Sequence, residues 1–456
     1  MSTSFATLIS TYTWSALKSY LTSEEGGKLS VYEVPDSKLA MIRYVKGQSN
    51  MDLSHVGAFR SVVWNTETNR PVSVAAFKSE RGEGFPAFGP NTSLSIEEFV
   101  DGVMIGQFWD ETTESWRIHT RSTLDAQCRY YSKQSFANLF AEAAAASYGV
   151  AAPLTDRLEK GVSYTWILQH AENRVVCPVQ KPRLILVASY RIGADAALEQ
   201  VAAPAGIQTP RVYYTKTVDA PVGRMDMGPV LNVIGMVNRQ EHDQEGAQHV
   251  LDDRPGYVPS DIPGVISMIA GMRGSVRYQG VVIKDATQPL KRWKLRAQVY
   301  NQVRKMRGNS ARRDFLWMDM WGKGSLEEYL KFFPEERRPA NDVILRWKTI
   351  TQQVFKLYID GFKARTLDRS QIPAKFRPLV YGLHNLYMTS LKPAHKTLDW
   401  KEVVRWMNDR DTAQKIFVIN WDLRQERSAI PLEPAATAAI REAVEAAAAE
   451  KEEGEC

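Results

Sequence analysis

Ile96–Thr123 reads IEEFVDGVMIGQFWDETTESWRIHTRST. Glu97 to Val100 and Val103 to Trp109 are β-branched and aromatic runs that flank Asp101-Gly102, a dipeptide suited to a tight turn, so the stretch predicts a β-hairpin. The polar break Asp110 to Ser115 precedes a third strand, Trp116 to Thr120. Asp101 then stands at a strand end, where a carboxylate can point into a cleft. A lone Asp-Gly turn is common, and a plain hairpin is the competing reading.

Outward from this stretch the pattern stays strand-rich. Upstream, Leu39 to Val45, Arg60 to Trp64 and Val72 to Phe77 alternate as consecutive antiparallel strands, with a turn at Asn65 to Pro71 and a glycine- and proline-bearing loop from Arg81 to Pro90. Downstream, Ser132 to Tyr148 repeats Phe136, Leu139, Phe140 and Ala143 at helical spacing. Strands follow at Tyr164 to His170, Leu184 to Tyr190 and Val212 to Lys216, then a helix near Val230 to Arg239. The run VRYQGVVIK (Val276 to Lys284) and the run KRWKLR (Lys291 to Arg296) predict two more strands, and the period of two puts Lys294 and Arg296 on one face.

From Gln298 the period becomes helical. Gly308-Asn309 is a C-cap signal, and Ser325 with Glu328 reads as a capping box. Asn341 is expected to cap a long helix with the stripe Ile344, Trp347, Ile350, Val354, Leu357 and Tyr358. Phe376, Leu379, Val380, Leu383, Leu386 and Tyr387 form a second stripe, and shorter helices follow at Trp400 to Met407 and Ala413 to Trp421. The expected organisation is an N-terminal segment (1–38), a strand-rich domain (39–297), an all-helical domain (298–427) and an acidic Ala/Glu-rich tail helix (428–456).

Composition narrows the classes. At 456 residues, 44% hydrophobic and 24% charged, the chain has material for two or three globular cores. No run approaches the length of a membrane-crossing helix and the N-terminus lacks a secretory pattern, so the expectation is a cytoplasmic protein without a membrane partner. Cys128, Cys177 and Cys456 are scattered, which argues against a disulfide framework or a zinc site. No phosphate-binding glycine motif and no HExxH pattern occurs. Net charge is +6, but Lys284 to Arg313 concentrates Lys284, Lys291, Arg292, Lys294, Arg296, Arg304, Lys305, Arg307, Arg312 and Arg313 against Asp285 alone. Such a block suits polyphosphate or nucleic acid, with a solvated face as the bland alternative. Arg292, Arg304, Lys305, Arg307, Arg312 and Arg313 are the candidate RNA-binding residues.

Taken together, Val100-Asp101-Gly102 before an apolar strand, Thr120-Arg121-Ser122-Thr123, YTWILQH with ENRVV, QGVVIK and KRWKLR resemble the motifs of covalent nucleotidyltransferases, in particular the phage-type RNA ligases. The helical region resembles RNA-ligase-like proteins of large eukaryotic DNA viruses, and the likeness spans about residues 40 to 425. It implies an α+β architecture: an antiparallel-sheet nucleotidyltransferase domain with an ATP-grasp-like cleft, then an all-helical C-terminal domain. It also implies ATP as cofactor, Mg as its companion, and RNA or a nucleotide as partner. In that family a lysine opens the first motif and becomes bonded to AMP; here Phe99 holds its place. The acid usual within the strand at Ile167, Leu168 and Gln169 is missing, and Gln279 replaces a metal-binding glutamate.

A phenyl ring has no lone pair to attack phosphorus, and a neutral amide is a weaker ligand for a hard cation than a carboxylate. The residues expected to hold a nucleotide are Phe99, Asp101, Gly102, Arg121, Trp166, Lys284, Lys294 and Arg296, and no metal ligand is assigned. The leading expectation is a pseudoenzyme that binds nucleotide or RNA ends. One alternative is an active RNA ligase using Lys78 or Lys284 as a displaced nucleophile, assisted by Asp101 and Lys294. Another is a viral structural or packaging scaffold with no chemistry of its own.

Overall fold

The computed structural model describes residues 5–81, 93–150, 153–216, 276, 279–285 and 290–428. It is a mixed α+β protein of two compact units, residues 1–311 and 312–456. The expected helix near Val230 to Arg239 and the tail beyond Ser428 lie outside the described residues. Among those described, no helix is long and apolar enough to cross a membrane.

The first unit opens with helices α1 (Phe5–Thr11) and α2 (Trp14–Thr22), which pack on a four-stranded antiparallel sheet of β1 (Leu29–Glu33), β2 (Leu39–Tyr44), β3 (Val62–Asn65) and β4 (Arg70–Val74), in that order. Leu17 and Leu21 bury against Ile42, Val62 and Trp64, so the N-terminal residues belong to this core. The β3–β4 turn is held by Asn65, whose side chain accepts the amides of Glu67 and Thr68 at 3.0 and 2.9 Å.

The remaining strands are β5 (Glu80–Arg81), β6 (Leu94–Glu98), β7 (Val103–Asp110), β8 (Ser115–His119), β9 (Val162–Gln169), β10 (Arg183–Ile192), β11 (Leu198–Gln200), β12 (Val212–Lys216), β13 (Gly280–Asp285) and β14 (Arg292–Arg296). They form two five-stranded sheets. The middle sheet runs β11-β10-β9-β7-β8, and the third runs β12-β6-β13-β14-β5, antiparallel except for β14 with β5. Helix α3 (Phe136–Tyr148), capped by Ser135, buries Leu139, Phe140 and Ala143 against Trp166, Leu184 and Leu186 of the middle sheet. The first and middle sheets are tied by buried serine and threonine side chains: Ser163 Oγ accepts the Val74 amide at 2.9 Å and Thr165 Oγ1 accepts that of Ala76 at 3.3 Å.

This topology corrects the opening expectation. Asp101-Gly102 does not turn a hairpin, because β6 pairs with β12 and β13 while β7 pairs with β8 and β9. The dipeptide carries the chain from one sheet to the other. Gly102 has φ +149°, and a Cβ there would stand 2.5 Å from the Leu168 carbonyl oxygen, so both its conformation and its closeness to β9 require glycine.

Helix α4 (Gln298–Arg307), expected to open the helical domain, lies in the first unit and ends at Gly308 with φ +67°. The second unit holds α5 (Arg313–Gly322), α6 (Leu326–Phe332), α7 (Arg337–Tyr358), α8 (Arg377–Leu386), α9 (Trp400–Asn408), α10 (Thr412–Ile419) and α11 (Trp421–Ser428). Trp347, Val354 and Tyr358 meet Leu379, Val380 and Leu383, with Val403, Met407 and Ile416 closing the core. Two cap expectations are corrected. Ser325 makes no side-chain cap bond, its hydroxyl being directed to the Met320 carbonyl, and α7 begins four residues before Asn341, since Pro339 is tolerated in a first helical turn.

Candidate functional site

Strand alternation decides what faces the space between the middle and third sheets. On β9, Trp166 and Leu168 point into the α3 core, which turns Ile167 to the other side. Its register partner on β7 is Met104, as Ile105 is the partner of Trp166. On β14, Trp293 is fully buried while Arg292, Lys294 and Arg296 share the opposite face, beside Val282 and Lys284 of β13. These side chains line a cleft with a cavity volume of about 120 Å³ that opens to solvent. Met104, Ile167, Val187, Val282, Phe99 and Val100 give it an apolar wall.

The other wall is cationic. Arg60, Lys78, Lys284, Arg292, Lys294 and Arg296 line it, against the carboxylates of Glu97 and Glu98. Lys284 Nζ is 2.6 Å from Glu97, an ion pair across neighbouring strands. The deeper cations are held by backbone carbonyls. Arg292 donates to Phe77 O at 3.0 Å and Ala76 O at 3.3 Å, Arg60 donates to Ala76 O at 3.3 Å, and Lys294 donates to Ser79 O at 3.3 Å. Carbonyls orient these groups without cancelling their charge.

The electrostatic result is visible in their acidities. Burial, reinforced by Arg296, Arg60, Arg292 and Lys78, brings the Lys294 ammonium down to about 8. Burial and then Arg292 lower Arg60 to about 9, and burial also lowers Arg292. A group whose charged form is this disfavoured gains from any anion that joins it.

Of the residues expected to hold a nucleotide, Phe99, Lys284, Lys294 and Arg296 line the cleft, and so does Lys78. Four do not. Trp166 is fully buried, stacked on Tyr164 at 6.3 Å, because its strand position faces the core. Asp101 is buried with both oxygens engaged: Oδ2 accepts the amides of Val176 and Cys177 at 3.0 and 2.8 Å, and Oδ1 accepts the Tyr300 hydroxyl at 2.6 Å. It ties the inter-sheet crossover to the 176–177 segment and to α4. Gly102 sits under β9. Arg121 lies 4.3 Å over the Tyr44 ring and donates to the carbonyls of Arg60 and Tyr44, bracing the back of the cationic wall.

The basic block is divided between the two units. Arg292 belongs to the cleft, Arg304 and Lys305 lie on α4, and Arg307 is buried under the Tyr131 ring at 4.4 Å. Arg312 and Arg313 fall in the second unit, where Arg313 is paired with Glu336 and Tyr329. Sequence reading missed Tyr44, Arg60, Ser79, Glu97 and Glu98 as cleft residues. The strand pattern of β6 and β2 was legible, but their juxtaposition with β14 is purely tertiary. Gln279 is buried and is not among the lining residues; its backbone carbonyl accepts the Ala297 amide at 3.0 Å. Among the described residues no three His, Cys, Asp or Glu side chains gather as metal ligands.

No family model matches the chain, and no curated protein matches it. Among solved structures it is similar to an archaeal ATP-dependent RNA ligase in two forms. Both are 11% identical and cover 74% of this chain and 79% of that one, with TM-scores of 0.33 and 0.31. A candidate ATP-dependent DNA ligase from Aquifex aeolicus is 10% identical over 82% of this chain and 80% of its own, with a TM-score of 0.31. At these TM-scores the functional reading rests on the cleft's own residues.

Proposed function

We propose that the cleft binds the polyphosphate of a nucleotide such as ATP, or the phosphate at an RNA end, without covalent attachment, in a nucleotidyltransferase-like pocket that carries Phe99 at the position where the resemblance expects the nucleophilic amine. The observation that carries this reading is the anchoring of Arg60, Arg292 and Lys294 by carbonyl oxygens rather than carboxylates. Preoriented positive charge beside an apolar wall suits phosphates beside a base. Phe99, at the position where the resemblance expects the nucleophile, has no lone pair to form a phosphorus–nitrogen bond.

A second reading keeps the chemistry. Lys294, brought down to about 8 by burial and its neighbouring cations, is the nucleophile this reading favours, whereas Lys284 is paired with Glu97 at 2.6 Å. In an active ligase, neutral Lys294 Nζ would attack the α-phosphorus of ATP, forming a P–N bond as the bond to pyrophosphate breaks. One experiment separates the readings. The full chain is incubated with α-labelled ATP and assayed on a filter natively and after denaturation. Non-covalent binding retains label only in the native sample; label that survives denaturation overturns it in favour of the second reading. Absence of label in both favours a scaffold without ligand. An RNA end, as ligand, predicts affinity that falls steeply with salt.

A further inference from the structure

We infer that the cleft takes its nucleoside polyphosphate without an accompanying divalent cation, the protein's own cations replacing it. This rests on the proposed nucleotide-binding reading and extends it to the form of the ligand. Mg beside a nucleotide is held through one or two protein carboxylates together with the phosphates and water, and Ca takes more oxygen donors still. The described lining residues offer two carboxylates, Glu97 and Glu98, and Glu97 is already engaged by Lys284 at 2.6 Å. In the strand where the resemblance expects one metal-binding acid stand Ile167, Leu168 and Gln169, and of these Ile167 lines the cleft with a hydrocarbon side chain. At the position of the other acid, Gln279 is buried away from the lining. Among the described lining residues this leaves Glu98 as the carboxylate not paired with a lysine, a poor complement for a divalent ion beside six cations.

The same space holds six cationic side chains among the described lining residues. Burial first, and then the neighbouring cations, depress Lys294 and Arg60, and a further double positive charge placed among six cations is repelled there. A bare triphosphate carries the charge this wall lacks. Complexed with Mg, it arrives with half of that charge neutralised and with a hydrated cation that the six positive side chains repel.

The test is calorimetric titration of the full chain with ATP, and separately with inorganic tripolyphosphate, in EDTA and in excess MgCl2 at matched ionic strength. Both probes are expected to bind at least about tenfold more tightly in EDTA, a modest consequence of losing two unit charges from the ligand. Equal or tighter binding in MgCl2 overturns the inference while leaving the proposed function standing. No binding of either probe in either buffer overturns the proposed function itself. Ile167→Glu supplies the missing carboxylate and is expected to narrow the preference for EDTA; since the wild-type titration alone decides, failure of this variant to fold changes nothing.

Discussion

The guanidinium of Arg296 lies 5.2 Å over the ring of Phe99, so a cation–π contact occupies the place where the resemblance calls for a nucleophilic amine. The ring steers Arg296 along the cleft wall. Phe99→Ala is expected to weaken ATP binding about fivefold, the scale of one cation–π contact, with the melting temperature nearly unchanged. Unaltered affinity by calorimetry would remove Phe99 from the site.

Lys294 is held at a cost to the fold. Its pKa in the folded chain, about 8, lies below the ordinary 10.5. Below pH 8 both states hold the proton and the cost is fully present. Between 8 and 10.5 the unfolded chain binds more protons, so stability rises with pH. Lys294→Met is therefore expected to stabilise the protein at pH 7 by about 1 kcal/mol, allowing for screening of a partly exposed group. It is expected to lose ATP affinity at least about tenfold at the same time. Opposite movement of the two quantities, read by chemical denaturation and by titration, marks strain kept for binding. A variant both less stable and still binding would contradict this.

The pH profile of binding follows from the same group. A bound polyanion stabilises the Lys294 ammonium and raises its pKa, so affinity is full below pH 8 and falls as pH rises through the value in the complex. Lys294→Arg stays charged in that range and is expected to flatten the profile. Parallel profiles for wild type and variant would show that another group governs binding.

Asp101 serves the framework. Removing its three hydrogen bonds in Asp101→Ala is expected to cost about 3 kcal/mol, whereas Asp101→Asn keeps an oxygen for the two amides and is expected to cost less. Denaturation midpoints check the order. Equal stabilities with lost ATP binding would return Asp101 to the cleft.

Much of this was legible in the residues because strand alternation is a local property. KRWKLR sends Lys294 and Arg296 to one face whatever surrounds it, and the structure puts Arg292 with them. YTWILQH alternates equally clearly, but alternation alone does not say which face meets the cleft, and Trp166 took the core. Asp101-Gly102 has the chemistry of a hairpin turn, yet its use as a crossover depends on the closeness of β9 to Gly102, which no local pattern encodes. Tyr44 comes from the first sheet and Arg60 from the turn before β3, both more than two hundred positions from β14 in sequence, so only the folded chain joins them to the site.

The central claim is tested most directly by a crystal soaked with ATP in EDTA. Triphosphate density is expected against Lys294, Arg292 and Arg296, with the base along Met104 and Ile167 and no bond from phosphorus to any lysine nitrogen. An empty cleft, or density continuous from the α-phosphorus into a lysine side chain, would contradict it.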